Sequence, residues 1–129
     1  MGIASLMAIR KAMDEFYLSF KVDKPILARG CLEVIYWELF PDLMEDERKE
    51  CKGDLDKIAR LVNAHNKELS FVDLNKKNGR KVNKETYLKV KGDLWNAMRE
   101  FYHTKLLVCM DQHDLLRPKK DDPHFAALE

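Results

Sequence analysis

Residues 25–40, PILARGCLEVIYWELF, are apolar at eleven of sixteen positions, and the rest of the chain has to cover them. At 3.6 residues per helical turn, these apolar residues do not keep to one side. One stripe consists of Leu32, Ile35 and Leu39, extended by Cys31, Val34 and Phe40, and the next face holds Tyr36 and Trp37. A helix that is apolar around most of its circumference belongs in a protein interior or at an interface.

The length and composition predict one helical domain. A chain of 129 residues is normally a single domain, and it is long enough to bury a core without disulfides or metals. Charged residues make up 35% of the sequence, whereas it has only five glycines and four prolines. This combination favours long helices with exposed charged faces over a β-sandwich or a barrel.

Charge and cysteine usage restrict the partners and the compartment. The net charge is +1, so the chain has no global field that would attract nucleic acid or an anionic membrane. Its three cysteines are an odd number without a C-x-x-C pair, which is typical of free thiols in a reducing compartment. No apolar run is long enough for a membrane span. We therefore expect a soluble, cytoplasmic protein that does not enter a membrane.

Hydrophobic periodicity predicts four helices. The first covers residues 3–21, the second begins at Pro25 and stops before Pro41, the third begins near residue 42, and the fourth runs from a cap at Asn83 to about residue 116. The prediction is an all-α, up-down four-helix bundle in residues 1–117, followed by a flexible tail in residues 118–129. The third helix is expected to carry the inward residues Met44, Cys51, Leu55, Ile58, Val62, His65 and Leu69, with an interruption or a fresh cap at Gly53-Asp54. The fourth is expected to carry Val90, Leu94, Met98, Phe101 and Val108.

The connection between the third and fourth helices is open to two interpretations. Helical periodicity fades after Lys67, and the following residues include β-branched and aromatic side chains and the turn pair Asn78-Gly79. A small β-hairpin pairing residues 71–74 with residues 80–82 fits this pattern. A longer irregular loop fits it equally well.

One candidate for catalysis is the pair Arg60 and His65. His65 lies on the apolar side of the third helix, where a core-rim histidine is the usual explanation. The spacing R-x4-H in Arg60-Leu-Val-Asn-Ala-His65 resembles the motif of HEPN ribonucleases, which are all-α proteins. The resemblance implies that arginine and histidine act together on an RNA phosphate. Leu61 departs from that family's pattern, in which a polar residue commonly follows the arginine.

An E-x-x-H sequence at Glu100 and His103 raises the question of a metal centre. Di-iron bundles need two such pairs together with a glutamate from each of two further helices. The sequence has only one pair, so we expect no metal and no other cofactor.

A local excess of positive charge follows the third helix. Such a patch can contact phosphates without reading base sequence, and a solvated loop is its simpler explanation. The candidate nucleic-acid-binding residues are Lys76, Lys77, Arg80, Lys81, Lys84, Lys89 and Lys91.

The apolar surplus on the second and fourth helices favours self-association. One bundle core is expected to hold only a single stripe from each helix, and aromatic residues are enriched at interface centres. The candidate interface residues are Tyr36, Trp37, Trp95, Tyr102 and Leu106. The sequence thus favours a non-catalytic interaction or assembly protein, a homodimer with a possible further protein partner. A nucleic-acid accessory factor and a HEPN-like ribonuclease are the alternatives.

Overall fold

The computed structural model describes residues 2–115, and the predicted tail at residues 118–129 lies outside them. Its helices are α1 (Ile3–Lys21), α2 (Pro25–Leu39), α3 (Glu45–Lys77), α4 (Glu85–Phe101) and α5 (Leu107–Gln112). A 3-10 turn, Phe40–Asp42, follows α2, and a π-helical turn, Tyr102–Leu106, joins α4 to α5 in one continuous rod. The all-α prediction is confirmed, and the described residues contain no strand.

Two helical hairpins make up the bundle. α1 packs mainly on α2, and α3 packs mainly on α4, while α2 also contacts α3, α4 and the π-helical turn. A connection of only three residues, 22–24, turns the chain between α1 and α2, which makes these helices antiparallel neighbours. The core lies where the two hairpins meet.

The turn after α1 places an aspartate in an unusual backbone conformation. The amide of Lys24 donates to the carbonyl of Ser19 at 2.9 Å, which is the hydrogen bond of a Schellman helix end. Asp23 therefore takes the left-handed position, with φ at +56°, which normally favours glycine. Its side chain compensates for this, because one carboxylate oxygen accepts a hydrogen bond from Trp95 Nε1 at 2.8 Å.

The connection between α3 and α4 differs from the predicted hairpin. Residues 71–74 continue α3, and Asn78 and Gly79 end that helix instead of reversing a strand. Gly79 has φ at +70°, and the amide of Arg80 donates to the carbonyl of Asn75 at 3.0 Å, so this is again a Schellman end. The remaining connection, residues 78–84, is the longest between the helices of the described part.

The inner side of α2 departs from the sequence interpretation at two positions. Leu32, Ile35 and Leu39 are buried as predicted. Tyr36, expected on the neighbouring face, is also buried, and its hydroxyl donates to the carbonyl of Arg48 at 3.4 Å. Val34, expected to extend the buried stripe, is exposed instead. The inner side is therefore rotated towards Tyr36 and α3.

The π-helical turn shifts the register of the last helix. Leu94, Met98 and Phe101 face the core as predicted. Because a π-turn accommodates one more residue than an α-turn, the positions beyond it rotate relative to a regular helix. Cys109 consequently takes the inward position expected for Val108, which is exposed.

Four of the five candidate interface residues lie inside the single chain, so the premise of a surplus on α4 is wrong. α4 and the π-helical turn are central, because they also contact α1: Phe16 stacks on Tyr102 with ring centroids 4.8 Å apart, and Phe20 meets Trp95 edge-on at 5.2 Å. One core therefore holds both apolar sides of α4. The buried residues are Tyr36, Trp95, Tyr102 and Leu106, whereas Trp37 is exposed.

The hydroxyl group of Tyr102 lies inside this core. The side chain of Tyr102 is fully buried, and its hydroxyl makes no hydrogen bond of good geometry within the described part of the chain, although the Tyr17 hydroxyl lies near enough to contribute to its raised pKa. Burial raises the pKa of Tyr102, so the phenol stays protonated. None of the helices within residues 2–115 has the length and apolar character needed to cross a bilayer.

Candidate functional sites

The outward side of α2 forms a continuous apolar surface, here called the α2 face. On a helix with 100° between residues, its members lie within one arc of about 100° opposite the buried side. Ile26 and Trp37 are each 60% exposed, Leu27 is 52% exposed, and Val34 is 44% exposed. Gly30 lies in the middle of this arc, and a Cβ atom there would meet no other atom within 4 Å. The α2 face consists of Ile26, Leu27, Gly30, Val34 and Trp37.

Residues 70–90 form a helical arm that extends past the α1–α2 turn. That turn lies beside His65 and Leu69 of α3 and Tyr87 of α4, so the chain from residue 70 to the start of α4 lies beyond it. Val72 is the only buried side chain of the arm. The arm holds six basic and two acidic residues, although the whole chain has a net charge of +1.

The predicted basic patch lies on this arm, with one exception. The exposed members are Lys76, Lys77, Arg80, Lys81, Lys84 and Lys89, and no ion pair joins them to any residue in the range 2–115. Lys91 instead pairs with the carboxylate of Asp23, and this hydrogen bond raises the pKa of Lys91. Residues 76–84 contain five basic residues and no acidic one, which makes the tip of the arm the most positive stretch of the chain.

Titratable groups from three elements meet beside the α1–α2 turn. Asp23 binds Lys91 and Trp95 of α4, and although burial alone would raise its pKa, these hydrogen bonds and the positive charge of Lys91 lower it overall. The His65 ring lies against Tyr87, with centroids 5.3 Å apart. The fold therefore brings the Asp23–Lys91 ion pair close to the imidazole of His65, although these residues are far apart in the sequence.

These groups border an open groove of about 610 Å³, here called the corner groove. Residues 23–27, the turn and the first turn of α2, line one side. The other side consists of His65, Asn66 and Leu69 of α3 and Tyr87 of α4. The groove combines an apolar surface with an imidazole, an amide and an ammonium group.

Arg60 and His65 are not brought together on α3. Five positions along a continuous helix place two side chains about 140° apart around its axis. Arg60 is exposed, whereas His65 is 5% exposed and lies towards α4. The shared-phosphate geometry that the R-x4-H resemblance implies is therefore not formed by these two side chains within one chain.

Glu100 and His103 both lie at the surface, where the π-helical turn begins after Phe101. They do not point into the bundle core, as the carboxylates and imidazoles of di-iron bundles do. Within residues 2–115, no group of three or more histidine, cysteine or acidic side chains is placed to hold a metal ion.

A second polar cluster joins the start of α3 to the end of α5. One oxygen of Glu47 accepts from the Met44 amide at 2.8 Å and lies 2.9 Å from His113 Nε2. The other oxygen lies 3.4 Å from Cys109 Sγ. Burial raises the pKa of Cys51 to about 11 and that of Cys109 to about 12. Since the thiolate is the reactive form, both cysteines are suited to packing.

Comparison of the chain with models of known protein families, with characterised proteins and with solved structures finds no match.

The sequence interpretation missed most members of the α2 face and of the corner groove. Ile26 and Leu27 are apolar residues outside the predicted stripe of α2, whereas Val34 is assigned to that stripe by periodicity. The exposed face can be identified from these residues only once the buried side is known. The corner groove had no such signal. Asp23 and Tyr87 are 64 positions apart, and only the packing of α1 and α2 against α4 brings them together.

Proposed function

We propose that the protein is a non-catalytic interaction protein that assembles as a homodimer through the α2 face. One observation carries the proposal: α2 is apolar on both sides, and the core formed by residues 2–115 covers one of them. A continuous exposed apolar surface is typical of an interaction site. The exposed aromatic residue on this surface is Trp37, and tryptophan is enriched among the residues that dominate binding energy.

A second copy of the chain fits this surface. In an antiparallel pairing of two α2 helices, a two-fold axis between Gly30 and Val34 places Val34 over the partner's Gly30. The same axis places Leu27 against the partner's Trp37. Gly30 leaves an open notch that accepts a side chain, and the absence of a Cβ lets two helix backbones approach closely. Such a self-complementary patch is what a two-fold dimer requires.

The charges beside the α2 face support the same partner. Arg29 and Glu33 form an ion pair of 2.9 Å along one edge of the face. Across the other edge, Lys11 and Glu15 of α1 are 3.9 Å apart and line an apolar groove that continues from Gly30 and Val34. Because each edge is neutralised within its own chain, a second copy meets no excess of like charge.

Sedimentation velocity over a range of micromolar protein concentrations tests the proposal. We expect a dimer for the wild-type protein and a folded monomer for Val34→Glu, since the new carboxylate would be buried without a partner. Leu18→Gln is the matched control, because Leu18 is an exposed apolar residue of α1 outside the α2 face. A wild-type protein that stays monomeric throughout would contradict the proposal. Equal dissociation of the control variant would do so as well.

A second function, weak nucleic-acid binding through the arm, is favoured by the charge at its tip. Five basic side chains without a neighbouring acid can neutralise several phosphates, and counterion release then drives binding. The basic stretch 76–91 contains one aromatic residue, Tyr87, whose ring is partly covered by His65. Binding is therefore expected to be electrostatic and independent of base stacking.

Duplex DNA binding measured at several salt concentrations tests this second function. The logarithm of the affinity should fall linearly with the logarithm of salt, by about 0.9 for each phosphate neutralised. The double variant Lys76→Glu and Lys77→Glu should abolish binding, whereas Lys49→Glu and Lys52→Glu, on α3 outside the arm, should not. Binding that persists in the first variant would exclude the arm as the site.

The cysteines support a cytoplasmic location for both functions. Cys31, Cys51 and Cys109 are free and buried. Unpaired thiols are kept reduced in the cytosol, whereas secreted proteins usually pair them.

A further inference from the structure

We infer that the dimer bridges two separate nucleic-acid duplexes, one held by the arm of each copy. This inference rests on both proposals above, the dimer through the α2 face and phosphate binding by the arm, and adds how the two combine. It depends on the direction in which each arm extends from the interface and on the charge of the chain between the arms.

The direction of the arm follows from the antiparallel packing of α2 and α3. At the end of α2, the Tyr36 hydroxyl donates to the carbonyl of Arg48 at 3.4 Å, and Arg48 Nε donates to the carbonyl of Phe40 at 3.0 Å. At the start of α2, residues 23–27 line the corner groove together with Leu69 of α3. The third helix therefore passes the start of α2 near Leu69 and continues beyond it, with the basic tip of the arm at its far end.

Two-fold symmetry places the two tips at opposite ends of the dimer. The proposed axis crosses α2 midway between Gly30 and Val34 and relates two α2 helices that run in opposite directions. Pro25 lies seven residues from this level, and Lys77 lies eight residues beyond Leu69. At 1.5 Å per residue these lengths are about 10 Å and 12 Å, so the two tips are about 45 Å apart along α2.

The two arms also lie on opposite sides of the interface. In each copy, α3 and α4 contact the buried side of α2, which is opposite the α2 face. Because the two-fold axis lies in the plane of the interface, it places the two pairs of α3 and α4 on the two outer sides of the dimer. Duplex DNA is stiff, with a persistence length of about 150 base pairs. A duplex held by one tip therefore does not curve around the dimer to reach the other.

The distribution of charge opposes a single duplex lying along the whole dimer. The arm has six basic and two acidic residues, which gives it a net charge of +4. Residues 2–69 and 91–115 have 14 basic and 17 acidic residues, a net charge of −3. Phosphates are therefore attracted to the two ends of the dimer and repelled by its middle. Two attractive ends separated by a repulsive body favour the joining of two duplexes.

Fluorescence cross-correlation at low salt, with two short duplexes carrying different dyes, tests the inference. The wild-type protein should make the two duplexes diffuse together. A large excess of protein should separate them again, because each duplex then holds its own dimer. Duplexes that never diffuse together, although the protein is a dimer and binds each of them, would overturn the inference. Joint diffusion that persists in excess protein would indicate aggregation and would overturn it as well.

Variants separate bridging from binding. Val34→Glu should bind one duplex through its arm without joining two, and Trp37→Glu serves the same purpose if the first variant does not fold. The double variant Lys76→Glu and Lys77→Glu should neither bind nor join them. Leu18→Gln, the control outside the α2 face, should join the duplexes as the wild-type protein does. Joining by a monomeric Val34→Glu variant would contradict the inference.

Duplex length distinguishes bridging from a dimer that places both arms on one duplex. A separation of about 45 Å corresponds to about 13 base pairs at 3.4 Å per step, so duplexes of about 10 and 30 base pairs lie on either side of it. Bridging predicts that the ratio of the two affinities is the same for the wild-type protein and for Val34→Glu. A gain of about tenfold or more on the longer duplex in the wild-type protein alone would place both arms on one duplex and overturn the inference.

Failure of the earlier proposals would be recognised separately. Sedimentation of the wild-type protein reports on the dimer, and duplex binding by Val34→Glu reports on the arm. A negative result in either measurement contradicts that proposal and removes this inference with it. If both results are positive and no bridging occurs, only the inference fails.

Discussion

Leu32 and Leu27 are five positions apart on α2 and have the same side chain, but one is fully buried and the other is 52% exposed. Their sequence neighbourhoods are equally apolar. The difference between them arises from the position of α2, which packs one side against α1, α3 and α4. An apolar helix indicates that its surface is shielded from water. Which side is shielded by the chain itself depends on how the other helices pack against it.

The largest effect is expected when the same substitution is made on both sides of α2. Leu32→Ala should lower the free energy of unfolding by about 2–5 kcal/mol, because it removes buried methyl groups and leaves a cavity. Leu27→Ala should change it by less than about 1 kcal/mol in the monomer, since most of that side chain is already in water. Urea denaturation at low protein concentration measures both. Similar losses for the two variants would contradict the burial difference on which the comparison depends.

A second pair of variants tests how two buried tyrosine hydroxyl groups, those of Tyr102 and Tyr36, affect stability. Tyr102→Phe should raise the free energy of unfolding by about 1–3 kcal/mol, because it removes a buried hydroxyl that has no hydrogen bond in the described residues. Tyr36→Phe should lower it by about 0.5–1.5 kcal/mol, because Tyr36 donates to Arg48. Thermal unfolding of the two variants gives the signs. A loss of stability in Tyr102→Phe would show that its hydroxyl has a partner in solution.

Alanine substitutions of two helical glycines distinguish the effect of helix propensity from contacts at the α2 face. Gly30 and Gly53 both lie inside helices with open space at the Cβ position. Gly30→Ala and Gly53→Ala should each raise monomer stability by about 0.5–1 kcal/mol through helix propensity. If two α2 helices cross at Gly30, only Gly30→Ala should also weaken the dimer. Urea denaturation at low concentration and sedimentation at high concentration separate the two effects, and an unchanged dimer would move the crossing point elsewhere.

The smallest effect concerns the turn that sets α2 in place. Because the folded-state pKa of Asp23 is lowered overall, its ionised form stabilises the fold above the unfolded pKa of about 4, and this contribution is lost as the pH falls below that value. Asp23→Asn should remove this loss, which we expect to be under about 1 kcal/mol since the carboxylate is half exposed.

The titration of Asp54 should change the stability with pH in the opposite direction to that of Asp23. Burial raises the pKa of Asp54, so its ionised form is disfavoured in the folded state, and its contribution falls as the pH rises above about 4. Unfolding of both asparagine variants between acidic and neutral pH measures the two slopes. Slopes of the same sign would contradict the assigned causes.

Much of the fold follows from periodicity, and the departures have local physical causes. On α3, Cys51, Leu55, Ile58, Val62 and His65 face inward, as predicted. Met44, which precedes the helix, is exposed and Leu69 is only partly buried, and the helix continues through the expected interruption at Gly53-Asp54. Periodicity cannot reveal the extra residue of the π-helical turn, so the prediction fails at Val108, just beyond it. The pair Asn78-Gly79 predicts a tight turn, but in the structure it ends α3, because the same pair suits both a hairpin and a helix end.

The candidate sites were less predictable because they depend on distant residues. The basic residues of the arm are neighbours in sequence, so their clustering was visible, except that Lys91 is engaged by Asp23. Which side of α2 stays exposed depends on three other helices. The corner groove needs the α1–α2 turn to lie against α3 and α4, and no local pattern specifies that contact.

The arm also has a consequence for the order in which the protein opens. Its two helices contact each other, and Val72 is its only buried side chain. Local opening of such a segment costs less free energy than global unfolding. Amide hydrogen exchange should therefore be fastest at the tip of the arm, slow down along α3 towards His65, and reach its minimum beside Leu94 and Met98. Local unfolding would therefore begin at the positively charged tip of the arm and proceed towards the core of the bundle.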